Sequence, residues 1–274
     1  MADGALLFSK AWGFLQRDLL AEWSTRFSLL LHLLNIGLTV AAYVFLARLV
    51  VQETLTRWAP TAEGYFPFVL VGMATNGAMF IAFTGLSRSL QLQQPAGLLK
   101  PLLMSQSRPE AVLLLSSLYP LVRAAVDLVV YLLVGWVFGG LSLAQANGLG
   151  AAVIACLAIV AFGSLGLCAA AFTVLLKYGN PLLWMIGSSS WLLSGVLYPP
   201  ALLPRPLRWA AELFPLTHAI QGMRAALLAG ASLGELLRPI VLLTAFSTIM
   251  VPLGVMAFEL GLRRTRVRGT LAEW

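Results

Sequence analysis

Charged residues are scarce in this chain. Only 11% of its 274 residues are Asp, Glu, Lys or Arg, whereas 59% are hydrophobic. A soluble domain carries roughly 25% charged residues, so there is too little charge here to cover a surface in contact with water. At about 20 residues per spanning helix plus connections, the length allows about six spans. The composition excludes a large soluble domain and predicts an all-α membrane protein.

Lysine is especially rare. The chain has only three lysines, and they follow Ser9, Leu99 and Leu176 rather than a glycine. A Walker A loop requires G-x-x-x-x-G-K-[ST], because its lysine reaches the β- and γ-phosphates of the nucleotide. These 274 residues therefore contain no P-loop, which excludes ATP hydrolysis of that kind.

Histidine and cysteine are also rare. His32 and His218 belong to no H-E-x-x-H motif, no G-x-S-x-G occurs, and the serine-rich stretch 187–191 has no acid or histidine nearby. Cys156 and Cys168 are twelve residues apart, which places them about 120° apart on a helix and disfavours a disulfide or a metal site. We predict no catalytic residues, no metal and no cofactor bound by this chain, with a membrane enzyme as the weaker alternative.

Six apolar segments are candidate spans, at residues 27–51, 65–86, 111–138, 149–176, 181–198 and 236–262. Before them, residues 5–25 place tryptophans and leucines on one helical face and basic and polar residues on another. This pattern is typical of an amphipathic helix in the membrane interface; a short soluble helix packed on a partner is the alternative. We predict one domain over 1–274, with an elbow helix (1–26), a six-span bundle (27–262) and a cytoplasmic tail (263–274).

The distribution of Lys and Arg orients this bundle. With six spans both termini share a side, and that side carries eleven Lys and Arg against six on the other. Because cytoplasmic loops are enriched in Lys and Arg, both termini are predicted in the cytoplasm. The net charge of +7 then reflects orientation and contact with anionic membrane lipids, rather than binding of nucleic acid.

Two opposite charges fall within the third span. Arg123 and Asp127 are four residues apart, so they lie on one face of a helix. An isolated charge at this depth is costly, and we therefore predict that the two side chains pair. The pair either lines a translocation route or joins two helices, or it is a structural pair that faces the bundle interior.

The predicted cytoplasmic loop at residues 87–110 is too long for a simple turn. Its centre, GLLKPLLM, is a short apolar piece with one lysine and one proline. Such a segment could dock as a short helix into the groove of a soluble partner. The alternative is a second segment that lies on the lipid surface.

The segment Leu193–Gly230 reads LSGVLYPPALLPRPLRWAAELFPLTHAIQGMRAALLAG. It resembles the signature of ABC-2 type transporter permeases, in which a small-residue helix end is followed by a proline element, an amphipathic stretch, PLTH and an arginine. The matching positions are Ser194, Gly195, Pro199, Leu203, Pro204, Pro215, Leu216, Thr217, His218, Arg224 and Gly230. The elbow, the six spans and the long loop between spans two and three also resemble that family.

The cytoplasmic loop resembles the family's loop between spans two and three, which usually reads GTLE-x-LL. This chain has Ala96 in place of the small polar residue and Lys100 near the acidic position. The resemblance implies that this loop couples the permease to an ATPase. The coupling residues would be Gly97, Leu98, Leu99, Lys100, Pro101 and Leu102.

The resemblance implies an export permease without its own motor, in a bacterial-type plasma (inner) membrane. A separate ATP-binding cassette subunit would hold ATP and Mg and dock on the coupling loop and the elbow. A second copy of the permease, in a homodimer, would form the route for an amphipathic, lipid-linked or drug-like substrate. The alternatives are a secondary transporter, which would show paired broken helices in both halves, and a scaffold without an ATPase partner.

The prolines of this signature suggest a physical role for it. Pro199 and Pro200 are predicted to stop span five, because proline does not continue the helical hydrogen bonds. Two short helices then fit, at 207–214 and at 216–230, with Pro215 between them. Irregular backbone at membrane depth needs cover by protein or a watery cavity. We therefore predict short re-entrant helices between spans five and six, with Arg224 and His218 capping or pairing locally; a plain outer loop is the alternative.

Overall fold

The computed structural model describes residues 26–49, 64–93, 109–139, 141–176 and 181–267, together with Gly13 and Gln16. The regular structure in these residues is helical, as predicted, with eight α-helices and one 3-10 turn at Pro200–Leu202. The helices are α1 (Arg26–Leu49), α2 (Tyr65–Gln93), α3 (Pro109–Gly139), α4 (Gly148–Leu176), α5 (Pro181–Leu193), α6 (Arg205–Leu213), α7 (Pro215–Leu228) and α8 (Leu237–Val267).

Five of these helices are long and apolar enough to cross a membrane, namely α1, α2, α3, α4 and α8. Each lies at one of the predicted spans. The remaining predicted span, 181–198, contains α5, which has 13 residues and is about 20 Å long at ~1.5 Å per residue. That length is less than the ~30 Å hydrocarbon core of a bilayer, so α5 is not one of the five.

Helix α4 is the centre of the described bundle, where it packs against α8, α2 and α7. The side chains at these contacts are fully buried and apolar, and they include Ile154 of α4 and Ile220 of α7. Phe83 of α2 and Phe162 of α4 meet edge to face, with ring centroids 6.5 Å apart. Such an apolar core is in keeping with a bundle surrounded by lipid.

Helices α4 and α8 run parallel and in close contact. A Cβ atom on Gly254 would lie 2.7 Å from the Ser164 carbonyl oxygen, and one on Gly261 would lie 3.3 Å from the Ala171 carbonyl oxygen. Both contact positions advance by seven residues, which fixes the relative direction of the helices. Small residues permit such close backbone approach between membrane helices.

Helices α2 and α3 run antiparallel and also meet at glycines. A Cβ on Gly85 would overlap Pro120, and one on Gly135 would overlap Leu70. Gly135 therefore permits a close contact between α3 and α2 of the same chain.

The connection between α3 and α4 packs on the end of α7. The Asn147 side chain accepts a hydrogen bond from the Gly150 N–H (2.9 Å) and donates one to the Ala231 carbonyl oxygen (2.8 Å). Asn147 thereby caps the start of α4. This end of the bundle, with residues 141–147, the start of α2 and residues 194–236, is named the motif end below.

A short turn leads into α8. The Ser232 N–H donates to the Glu235 carboxylate at 2.7 Å, and the Ser232 hydroxyl donates to the same oxygen at 3.0 Å. These hydrogen bonds hold the pKa of the exposed Glu235 carboxyl below its usual range. A serine followed three residues later by a bonded glutamate is the pattern that opens many helices.

The outward surface of the described helices is strongly apolar. Phe138 at the end of α3 is 78% exposed and Phe27 at the start of α1 is 74% exposed. Exposed Leu, Val and Ile side chains also follow α8 along most of its length. A surface of this kind is stable against lipid and costly in water. Cys156 and Cys168 are both free thiols.

Candidate transport site

The proline-rich connection begins at a left-handed glycine. Helix α5 ends at Leu193, and Gly195 has a φ of 75°, a conformation that glycine commonly adopts after a helix C-terminus. The prediction that Pro199 and Pro200 stop this helix is therefore wrong, because both come later: Pro199 is the N-cap of a 3-10 turn and Pro200 is its first residue. A Cβ on Gly195 would lie 2.5 Å from Pro200 Cδ, so the turn folds back over the space that glycine leaves.

Two short helices follow this turn, as predicted. Pro204 is the N-cap of α6, and Pro215 is the first residue of α7. Proline is favoured at the first helical position because the N–H that it lacks has no helical partner there. The prolines of the motif therefore mark where the short helices begin.

The PLTH sequence forms the corner between α6 and α7. The Thr217 hydroxyl donates to the Ala211 carbonyl oxygen at 2.6 Å. His218 Nε2 lies 2.9 Å from the Glu212 carbonyl oxygen, and since a carbonyl only accepts, Nε2 is the protonated nitrogen. The last carbonyls of a helix have no partner within it. Thr217 and His218 supply those partners to α6 from the next helix.

Arg224 of α7 joins three segments of the motif end. Its Nε donates to the Phe68 carbonyl oxygen at 3.0 Å, and Nη1 and Nη2 donate to the Gly195 and Val196 carbonyl oxygens at 2.9 and 2.8 Å. The guanidinium carbon also lies 3.4 Å from the centre of the Phe68 ring. We call this arrangement the Arg224 clamp: it connects α7, the first turn of α2 and the connection after α5.

The clamp requires a glycine on α2. A Cβ on Gly72 would lie 2.6 Å from Arg224 Nη2 and 2.6 Å from the Val196 carbonyl oxygen. Both distances are too short for a real side chain. Gly72 therefore allows the backbone after α5 to reach the arginine.

The intramembrane carboxylate is bonded to α1. Asp127 of α3 is buried and accepts a hydrogen bond from His32 Nε2, although 95 residues separate the two. The predicted partner, Arg123, lies one turn earlier on α3 and is partly buried. The pairing of Arg123 with Asp127 stays a prediction, whereas the His32 bond was missed because no local spacing relates the two residues.

A groove of about 580 Å³ lies between α2 and α5. Its wall is largely apolar and aromatic, with polar groups spaced along it. One end carries Arg88, near the end of α2 that lies away from the motif end. The lining residues are Asn76, Phe80, Thr84, Arg88, Leu183, Gly187, Ser188 and Trp191.

The spacing of these residues explains the groove. Asn76, Phe80, Thr84 and Arg88 recur every four residues and therefore lie on one face of α2. Sequence reasoning did not single out this stripe, although its spacing was readable. A long amphipathic molecule could lie along it, with its apolar part on the aromatic rings and an anionic group at Arg88.

Other predicted sites lie outside the described residues. The coupling loop (97–102) and most of the elbow (5–25) belong to this group. Among the described residues, no group of three or more His, Cys, Asp or Glu side chains could hold a metal ion.

A family model described as ABC-2 type transporter matches residues 9–228. The chain belongs to the ABC-2 type transporter family. The match spans α1 to the last residue of α7 and so includes the groove, the corner and the Arg224 clamp. A search of the curated proteins found no match.

ABC-2 permease domains are membrane transport components and are not themselves catalytic. Family membership therefore accounts for the apolar helices, and it implies in general an ABC ATPase as partner. The protein is thus a multi-pass transmembrane permease of the ABC-2 type.

Proposed function

We propose that this permease is the membrane subunit of an exporter driven by a separate ATP-binding cassette ATPase. The family match supports the transport role, and the missing Walker A loop supports a motor on another chain. ATP and Mg would then bind to the partner subunit, and this chain would bind neither.

The permease crosses the membrane six times, with both termini in the cytoplasm. The parallel arrangement of α4 and α8 supports this topology. Because α4 ends at one membrane face and α8 starts at the other, residues 177–236 must return across the bilayer once. Helix α5 is the helix in this interval that leads to the motif end. The excess of Lys and Arg on the side of the termini supports a position of the motif end outside the cell. The membrane proposed is a bacterial-type plasma membrane.

Helices α6 and α7 form a re-entrant pair in the outer half of the membrane. Backbone groups that leave a helix at membrane depth need partners inside the protein. The carbonyls of Ala211, Glu212, Gly195 and Val196 have such partners, in Thr217, His218 and Arg224. Short helices whose ends are bonded in this way can lie in the outer half of the membrane and close the outer end of a route.

The ATPase docks on the cytoplasmic loop at residues 97–102 and on the N-terminal elbow. In a pull-down with the ATPase, Leu98→Asp should abolish complex formation. The same substitution at Leu49, which lies at the proposed outer end of α1, should leave complex formation unchanged. Lys100→Glu tests the charge at the position where this chain differs from the family's usual loop. If neither substitution changes association or ATPase stimulation, the docking assignment is wrong.

The groove between α2 and α5 contributes to the translocation route. The proposal on the class of substrate rests on the residues that line it. Phe80 and Trp191 in its wall are 50% and 38% exposed, and in the proposed homodimer a second copy of the chain would cover them. Its aromatic wall, polar groups and terminal Arg88 favour an amphipathic substrate with an anionic group, either lipid-linked or drug-like.

The proposal is tested by reconstitution of the permease with its ATPase in proteoliposomes. We expect ATP-dependent movement of an anionic amphipath, such as a fluorescently labelled lysophosphatidylglycerol. An ATPase that lacks its Walker A lysine should support no movement. Transport that follows an ion gradient without ATP would instead identify a secondary transporter.

A further inference from the structure

A second pocket lies at the motif end, between α6, the start of α7 and the start of α8. Its volume is about 530 Å³, and its lining residues are Glu212, His218, Leu237, Arg238, Val241 and Leu242. The apolar span of α8 begins at Leu237, so the pocket lies where this helix enters the membrane. Trp209 of α6 is 74% exposed, and tryptophan is enriched at headgroup depth.

The pocket presents one negative and one positive side chain. Glu212 belongs to α6 and Arg238 to α8, and both are exposed. In the described part of the chain, no ion pair within 4.0 Å joins them to each other or to another side chain. His218 Nε2 is held by the Glu212 carbonyl oxygen, which leaves the Glu212 carboxylate available to a ligand.

The rest of the pocket wall is apolar. Leu237 and Val241 are one helical turn apart and are 59% and 58% exposed, and Leu242 beside them is 38% exposed. They extend from the level of Arg238 along α8 toward the membrane interior. A ligand that fits this wall has a polar head with both charges and a hydrocarbon chain directed into the bilayer.

We propose that this pocket binds the headgroup of phosphatidylethanolamine. Arg238 donates to the phosphodiester oxygens, since a guanidinium matches phosphate in geometry and charge. Glu212 accepts hydrogen bonds from the primary ammonium, and an acyl chain lies on Val241 and Leu242. The volume of about 530 Å³ lies within the ~300–1,000 Å³ of small-molecule sites.

The two charged side chains also make the pocket selective among phospholipids. Phosphatidylglycerol has the phosphate and lacks the ammonium, so Glu212 repels it. Phosphatidylcholine has a quaternary ammonium without N–H donors, so it forms no hydrogen bond with Glu212. The site is separate from the groove, and it rests on the proposed function only for its assignment to the outer leaflet.

The test is lipid binding to the purified full-length permease, without an ATPase, by native mass spectrometry after delipidation. Equimolar phosphatidylethanolamine, phosphatidylcholine and phosphatidylglycerol with matched acyl chains are offered to wild type, Glu212→Gln and Arg238→Gln. Arg208→Gln is the matched control, because Arg208 is an exposed arginine of α6 that does not line the pocket.

For the first bound lipid we expect a preference of about tenfold for phosphatidylethanolamine over phosphatidylglycerol, the ratio that one charge-assisted hydrogen bond supplies. Glu212→Gln should abolish this preference while phosphatidylglycerol still binds, which also shows that the variant is folded. Arg238→Gln should weaken both lipids, and Arg208→Gln should change neither. Equal binding of all three lipids to wild type, or a preference that survives Glu212→Gln, overturns the proposal. Since no ATP or transport is involved, either outcome leaves the exporter proposal to its own test.

Discussion

Arg224 contacts Phe68 through a hydrogen bond and a cation–π interaction. Nε donates to the Phe68 carbonyl oxygen at 3.0 Å, and the guanidinium carbon lies 3.4 Å from the centre of the Phe68 ring. The two residues belong to α7 and to the first turn of α2, 156 positions apart. The contact explains why an arginine occurs in a short helix whose side chains are mostly apolar and buried. Among the described residues its charge has no acidic partner and is stabilised by three carbonyl oxygens and an aromatic face.

Arg224→Met should destabilise the motif end severely. The substitution leaves the Gly195 and Val196 carbonyl oxygens without their donor, at a cost of about 1–3 kcal/mol for each buried group. We expect a large fall in the thermal unfolding midpoint in detergent. Arg224→Lys should restore only part of it, because an ammonium lacks the planar fork of the guanidinium. Arg208→Gln, at an exposed arginine, is the control and should behave as wild type; an equally stable Arg224→Met variant would show that the clamp is not structural.

Gly72→Ala, on the α2 side of the clamp, should also lower the thermal unfolding midpoint. The added methyl group would lie 2.6 Å from the Val196 carbonyl oxygen, and backbone does not move away as easily as a side chain. Gly77→Ala, five residues further along α2, is the matched control, since its nearest neighbour is Tyr131 Cε2 at 3.9 Å. Alanine is the better helix former by about 0.5–1 kcal/mol, so Gly77→Ala should be neutral or stabilising. The difference in unfolding midpoint between the two variants measures how much a methyl group inside the clamp destabilises the protein.

The bond between His32 and Asp127 should appear as a coupling in a double-mutant cycle. We expect His32→Ala and Asp127→Asn each to destabilise, and the double variant to lose less than their sum. Coupling between polar groups of membrane helices averages about 0.6 kcal/mol and reaches about 1.7 kcal/mol. A parallel cycle with Arg123→Gln and Asp127→Asn measures the predicted pair on α3. Additive effects in the first cycle would contradict the bond between α1 and α3.

The groove should select its substrate through Trp191 and Arg88. Trp191→Ala should raise the substrate concentration for half-maximal ATPase stimulation by about tenfold for all amphipaths, because it removes apolar contact area. Arg88→Gln should do so only for anionic ones, because a charge-assisted hydrogen bond is lost. Trp136→Ala is the control, since Trp136 is an exposed tryptophan of α3 outside the groove. An equal effect of Trp136→Ala and Trp191→Ala would remove the groove from the route.

The sequence was sufficient for the five long helices and for the position of the short helices α6 and α7, because apolar runs and prolines are local signals. It placed the end of α5 too late, since a left-handed glycine ends a helix as effectively as a proline and Gly195 comes first. The contacts of Arg224 and of Asp127 were beyond local reasoning: their partners are 28 to 156 residues distant. The stripe from Asn76 to Arg88 was readable from its four-residue spacing. Its partner on α5 depended on how the two helices pack.

Transport by the reconstituted permease and its ATPase, with Arg88→Gln and Trp136→Ala beside wild type, tests the central claim most directly. We predict ATP-dependent movement of an anionic amphipath by the wild type. Arg88→Gln should lower the apparent affinity for this substrate about tenfold, and Trp136→Ala should leave it unchanged. Movement that continues with an inactive ATPase, or that is insensitive to Arg88→Gln, would contradict an ATP-driven route along the groove between α2 and α5.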